Sequence, residues 1–237
     1  FLHPSKRRPH YLERVSIVQA LRELHHRVKP GIMLDVGCGM KPYEGLLKPP
    51  GSRYLGTDWP VTMDGSYGNR TRADFFSDSM VLPFRESTFD TIISTQMLEH
   101  VRQPEVVIPE MARVLKPNGI LILSAPMTWP LHEEPHDYYR YTIHGLRHLL
   151  EEAELEILDE IRRGNNWTTM AQMFLDTQVG YLGQRLPDRL YTTLISLAVN
   201  HGCSVINIFK PIRRLCLGWV ICARKIPGKE SRPTGIR

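Results

Sequence analysis

The sequence predicts an α/β fold, doubly wound around a largely parallel sheet. Three observations carry that prediction. Short apolar runs alternate with segments of helical period. The first run, Ile32-Met-Leu-Asp-Val36, ends in Gly37-Cys38-Gly39, a strand turning sharply through two glycines spaced one residue apart. A second acid, Asp58, closes Leu55-Gly-Thr-Asp58 about 20 residues later, where such folds place a carboxylate for ribose hydroxyls.

Taken in order, residues 11–28 put Leu12, Val15, Val18, Leu21, Leu24 and Val28 on one helical face, and Pro30-Gly31 ends the run. After the first strand a short helix spans 43–47 and stops at Pro49-Pro-Gly51; a second strand follows to Thr57. Residues 60–72 show no clean period and read as a substrate-side loop. A third strand is expected over 72–75, and a fourth over 89–95, whose apolar-and-Thr run suits burial on both faces. A helix over 104–116 has Pro104 in its first turn and Asn118-Gly119 as its exit, with Pro109 forcing a kink or a later start. Strand five covers 120–125. Thr142 caps a helix reaching 150–153, and 155–161 is strand six.

With Leu34-Asp-Val-Gly-Cys-Gly39, Leu82-Pro-Phe84, Ser87-Thr-Phe-Asp90, Gln96-Met-Leu-Glu-His100, Arg113-Val-Leu-Lys-Pro-Asn-Gly119 and Pro126 in succession, the chain resembles the class I S-adenosylmethionine-dependent methyltransferases, in particular their type 11 subset. The resemblance implies a Rossmann-like seven-stranded sheet, its antiparallel last strand over 215–223, with a helical insertion between strands 6 and 7. The organisation is then an N-terminal helix and arm (1–30), a catalytic core (31–164), an insertion of two or three helices over the active-site mouth (165–212), the final strand (213–225) and a flexible basic tail (226–237).

The resemblance implies S-adenosylmethionine as cofactor, held by Asp35, Gly37, Cys38, Gly39, Asp58, Asp78, Ser79 and Gln96. The glycine-loop backbone and the helix terminus after it would take the methionine carboxylate, Asp58 the ribose, Asp78 the adenine amino group with Asp74 ranked second, and Gln96 the methionyl end. Asp35 would order the loop. A dinucleotide fingerprint needs a third glycine, but Met40-Lys41-Pro42 follows Gly39, so an NAD(P)-dependent oxidoreductase is the weaker reading. A cofactor-binding interaction module without catalysis shares the same binding residues.

Acceptor recognition is expected from Glu99 and His100 and from the loop after strand five, with Trp129, Tyr138, Tyr139 and Arg140 as substrate contacts. His136 and His132 are the bases for deprotonating a hydroxyl, His136 preferred because Asp137 and Arg140 stand near it. His132-Glu-Glu-Pro-His136 matches the H-E-x-x-H zinc pattern, yet Pro135 breaks the helix that would align both imidazoles, so no metal is expected.

At 237 residues the chain buries roughly 70% of its unfolded surface without staples. The four cysteines (38, 203, 216, 222) lack C-x-x-C or metal spacing and point to a reducing cytoplasm, although a start at Phe1 leaves targeting open. The net charge of +5 divides into +5 over 1–30, −9 over 31–160 and +9 over 161–237. Such segregation suits an anionic partner, and the Trp, Met and Leu content of the insertion beside Arg185, Arg189, Lys210, Arg213 and Arg214 suggests peripheral membrane contact or a lipid- or glycan-linked acceptor. A nucleic-acid partner is disfavoured by the lack of any recognisable module.

Overall fold

A computed structural model describes residues 2–59, 71–182, 189–209 and 213–228. Strand β1 (Ile32–Val36) lies inside the sheet because its side chains are apolar on both sides: Leu34 and Val36 enter one core and Met33 the other. It pairs in parallel with β2 (Arg53–Asp58) and β4 (Phe89–Thr95). With β3 (Phe75–Phe76), β5 (Leu115–Pro126), β6 (Leu155–Arg163) and β7 (Gly218–Lys225), the sheet runs β3-β2-β1-β4-β5-β7-β6. Only β7 is antiparallel to its neighbours, which is the sheet the resemblance implies.

Both faces are covered, as a parallel sheet requires. Helices α3 (Pro104–Val114) and α4 (Ile143–Glu152) bury Val107, Ile108, Met111, Leu146 and Leu150 against Ile92, Leu121 and Leu123. On the other face α1 (Tyr11–Leu24) buries Ile17, Val18, Leu21 and Leu24 against Met33, Ile93, Ile122 and Val220. Thr142 caps α4 by accepting from the Gly145 amide at 3.1 Å, as its sequence predicts.

Several boundaries differ from expectation, each for a local reason. Strand β3 is two residues rather than 72–75, since Asp74 turns its carboxylate to the Gly56 amide (2.7 Å) and Lys41 (2.5 Å), and Thr71 caps the Ala73 amide. Helix α3 starts at Pro104 and runs through Pro109, so the proline costs one intrahelical bond without delaying the start. It stops at Val114 because Leu115 already pairs with Phe89, and residues 116–119 form an irregularity in the ladder before Ile120 meets Thr91. The helix after the glycine loop, α2, is only Glu44–Leu47. Strands β6 and β7 extend beyond 161 and 223, and β7 begins at Gly218 instead of 215.

The insertion forms α5 (Asn166–Leu182) and α6 (Arg189–Phe209). Its described residues grip the N-terminal segment: Gln172 donates to Pro9 O at 3.0 Å, Asn200 donates to Lys6 O at 2.9 Å, and Asp176 faces His10 at 3.3 Å. Beneath them a buried Arg163 meets Glu13 at 2.6 Å. Most of the 60–72 loop, the tail beyond 228, and Arg185 and Lys210 lie outside the described residues. Among the described residues no helix is long and apolar enough to cross a membrane, and all four cysteines are buried without a disulfide.

Candidate functional site

A cavity of about 950 Å³ opens at the carboxyl ends of β1, β2 and β4, where parallel strands of a doubly wound sheet leave backbone groups facing a crevice. Gly37, Gly39, Asp58, Asp78, Ser79, Gln96, His100, His136 and Tyr138 line it, which gathers most of the expected residues into one place. Asp58 ends β2 with its carboxylate oriented by three donors: Gly39 N (3.2 Å) and Thr71 Oγ1 (3.0 Å) reach Oδ2, and Trp59 N (3.1 Å) reaches Oδ1. Asp78 Oδ1 accepts from Met80 N at 2.8 Å. Asp74, its rival, is committed to Lys41 and Gly56 and does not line the cavity. Gln96 sits at φ +52°, with its amide nitrogen fixed on Ser124 Oγ at 3.0 Å.

The glycine loop does less than expected. Gly37 N and Cys38 N both donate to Thr57 O, at 2.9 and 3.0 Å, and the four-residue α2 begins only at Glu44, so neither those amides nor a helix terminus is free for a carboxylate. Gly37 is required for packing: at φ +74° an added Cβ would stand 2.4 Å from Met97 Cγ. At Gly39 the same atom would meet nothing within 4 Å, so the loop surface there is bare toward the cavity. Cys38 and Asp35 are buried and absent from the lining. Asp35 accepts from Tyr54 Oη at 2.6 Å, and burial pushes its carboxyl up to about 7, so it braces β1 against β2 from behind.

Residues 34–123 match the model of the family described as "Methyltransferase domain". The chain is 33% identical over 97 residues to the uncharacterized methyltransferase ML2584 of Mycobacterium leprae, covering 39% of this chain and 36% of that protein. It is 35% identical over 101 residues to the methyltransferase GfsG of Streptomyces halstedii, again over 39% and 36%. Over residues 34–123 the chain is therefore similar to methyltransferases, as its motifs imply. It spans little more than a third of the length of these relatives. The same fold is seen in the 1,6-didemethyltoxoflavin-N1-methyltransferase of Burkholderia thailandensis (TM-score 0.54, 17% identity, 89% of this chain and 78% of that one). It also recurs in the [4+2]-cyclase SpnF, with TM-score 0.55, 22% identity and coverage of 88% and 81%.

The loop after β5 is ordered by one ion pair. Arg140 grips Asp137 through both nitrogens, at 2.6 and 2.7 Å, and donates to the carbonyls of Trp129, Pro130 and Tyr139. The guanidinium holds the Asp137 carboxyl well below the usual carboxylate range. Arg140 is therefore the clasp of the loop and absent from the cavity lining, as are Trp129 and Tyr139, which the sequence offered as substrate contacts. Tyr138 does line it, under the Arg102 guanidinium 5.5 Å from its ring. His136 lines it too, with Nδ1 3.2 Å from Tyr138 Oη and its ring edge-on to Trp59 at 5.1 Å. His132 does not; it turns toward Asp137 and His100.

Glu99, expected on the substrate, is 1% exposed and outside the lining, and burial raises its carboxyl to about 8. The zinc-type pattern is not realised as such: no helix forms over 131–141, and His132 pairs with His100 instead of His136. Glu99, His100 and His132 nonetheless bring ligand atoms within 4.8 Å of one another. The sequence reading missed Trp59, Arg102 and Glu133 in the lining. Trp59 had a signal, standing immediately after the strand-end Asp58.

Proposed function

We propose that this chain transfers a methyl group from S-adenosylmethionine to the hydroxyl oxygen of a small-molecule or carrier- or glycan-linked acceptor. The observation that carries the reading is the convergence of Asp58, Asp78, Gln96 and His136 on one cavity. The residues fit the cofactor: the bare surface at Gly39 admits close approach, and two oriented carboxylates stand beside it. When bound, S-adenosylmethionine supplies a methyl group already activated on a sulfonium. The protein's task is then alignment, worth about 7 to 11 kcal/mol in well-oriented cases.

Asp58, its Oδ2 filled by Gly39 and Thr71, offers the ribose hydroxyls the remaining lone pair of Oδ1, which also accepts from Trp59 N. Asp78 accepts from the adenine amino group, and Gln96, its nitrogen held by Ser124, offers its carbonyl oxygen to the methionyl ammonium. His136 takes the proton that the acceptor hydroxyl loses, through the ring nitrogen not engaged with Tyr138. Apolar and aromatic residues of the lining, Met97, Val101 and Trp59, exclude water from the transfer. The test is S-adenosylhomocysteine formation with an acceptor panel. His136→Ala lowers turnover about 10²- to 10⁴-fold with unchanged S-adenosylhomocysteine affinity; normal turnover in that variant removes the base assignment, and tight cofactor binding with no turnover on any acceptor favours the interaction module.

A further inference from the structure

We propose that Glu99, His100 and His132 form a divalent metal site in the wall of the cavity, with Glu133 as a fourth donor. His100 carries the argument. Its Nδ1 lies 2.7 Å from the carbonyl oxygen of His136, and because a carbonyl only accepts, the proton sits on Nδ1. In the neutral ring Nε2 then presents a lone pair. That lone pair faces carboxylates on two sides, Glu133 Oε2 at 3.0 Å and Glu99 Oε1 at 3.9 Å. Electron pairs aimed at one another in a largely buried spot call for a positive charge between them, a proton or a metal ion.

Two independent features support it. Glu99 is 1% exposed and its Oε2 has no hydrogen-bond partner, an expensive arrangement for a buried carboxylate unless something positive occupies the space. His132 is braced like a ligand: its Nδ1 stands 3.2 Å from Pro130 O, 3.4 Å from Asp137 Oδ2 and 3.5 Å from Arg140 Nη2, and its ring packs edge-on to His100 at 4.7 Å. An imidazole tethered through one nitrogen to a carbonyl or carboxylate, with the other nitrogen free, is the usual arrangement around a bound metal. Donors within 4.8 Å reach a common ion at about 2.1 Å after side-chain shifts of roughly 1 Å.

Two imidazoles with carboxylates favour a borderline first-row ion over magnesium. Since His100 and Glu133 line the cavity, an ion there has its open positions facing the acceptor. Its role, polarising an acceptor oxygen so that the hydroxyl loses its proton more easily, rests on the proposed function; the binding itself does not.

The experiment is a titration of the chelator-treated chain with Zn²⁺ by calorimetry and with Co²⁺ by visible absorption, with Mg²⁺ as the comparison ion. One equivalent of Zn²⁺ or Co²⁺ binds at micromolar concentration or tighter, Mg²⁺ binds at least 100-fold more weakly, and His132→Ala and Glu99→Gln each lose at least 10-fold in affinity. Circular dichroism and S-adenosylhomocysteine calorimetry on the same samples establish that the variants fold and hold cofactor, and His132→Gln serves if the alanine variant does not fold. A wild-type protein that binds no ion at 100 μM, the result if a shared proton bridges His100 and Glu133, overturns the site. So does unchanged affinity in folded His132 and Glu99 variants. Either result leaves the methyltransferase reading untouched if S-adenosylhomocysteine still binds.

Discussion

Replacing Arg140 with methionine is expected to unlatch the loop after β5 without touching the cofactor. The carboxylate of Asp137 is 1% exposed at the side chain, and Arg140 supplies two of its charge-assisted bonds. Three carbonyls lose a donor as well. Stranding a buried carboxylate costs about 3 to 5 kcal/mol when its partner is removed, and the partial exposure of Arg140, 23%, discounts this to about 2 to 4 kcal/mol. For a chain of this size that is a fall in Tm of roughly 5 to 15 °C. The pH sign follows from the depressed Asp137 carboxyl: the pair's contribution is present above the ordinary carboxylate range and is lost as pH falls below it. The wild type should therefore lose more stability between pH 6 and the acid limb than Arg140→Met does. Denaturant melts of wild type, Arg140→Met, Asp137→Asn and the double variant form the cycle, and the double variant should recover part of the loss. A change below about 0.5 kcal/mol in Arg140→Met, together with a raised acceptor KM, would refute the clasp and restore Arg140 as a substrate contact.

Three further outcomes are expected. Asp58→Ala weakens S-adenosylhomocysteine binding by about 1.5 to 3 kcal/mol in calorimetric titration, whereas Asp74→Ala, outside the lining, leaves it within about 0.5 kcal/mol. Gly37→Ala destabilises the fold by at least about 2 kcal/mol, since both the Met97 contact and the positive φ oppose it, while Gly39→Ala costs only the backbone strain of about 1 to 2 kcal/mol; thermal melts separate them. Asp35, raised by burial to about 7, favours its neutral form in the folded state, so its contribution is intact below pH 4 and declines as pH rises through 7. In Asp35→Asn that component, up to about 3 kcal/mol between these conditions, is absent from the difference between melts at pH 5 and pH 8.

The sheet was legible in the sequence where burial on both faces writes an unbroken apolar run, as in β1 and β4, and where an end carries a specific residue, as Thr142 does for α4. It was illegible at β3, whose two paired residues are too few for any period, and at the start of β5, where Leu115 leaves a helix and enters a strand with no breaker between. The strand-end Asp58 was found because chain spacing alone places it at the crevice. Asp35, 23 residues earlier, was misjudged: alternation along β1 sends it to Tyr54 instead. The loop after β5 failed for another reason. Its charged and aromatic side chains look alike in sequence, and only the closure of Arg140 onto Asp137 decides that His136 and Tyr138 face the cavity while Trp129, Tyr139 and His132 do not. Glu99 and His100 are neighbours in sequence yet differ in exposure, because a single 3-10 turn, Leu98–His100, buries one and leaves the other at the wall.

Strand β7 is last in the chain and sixth in the sheet, and synthesis has to live with that order. On the ribosome β5 emerges about 90 residues, and β6 about 55, before the strand that joins them, so each carries an unpaired edge until residues 218–225 arrive. A chain stopped before Gly218 is left with two such edges and an unfilled slot lined by Ile120, Ile122 and Ile161, a surface well suited to trapping chaperones or other unfinished copies. Completion is correspondingly abrupt: one eight-residue segment zips both ladders, and Arg163 opposite Gly218 closes a stem from which the two insertion helices hang. Changes in the length of that insertion are absorbed outside the stem, leaving the register of the sheet untouched.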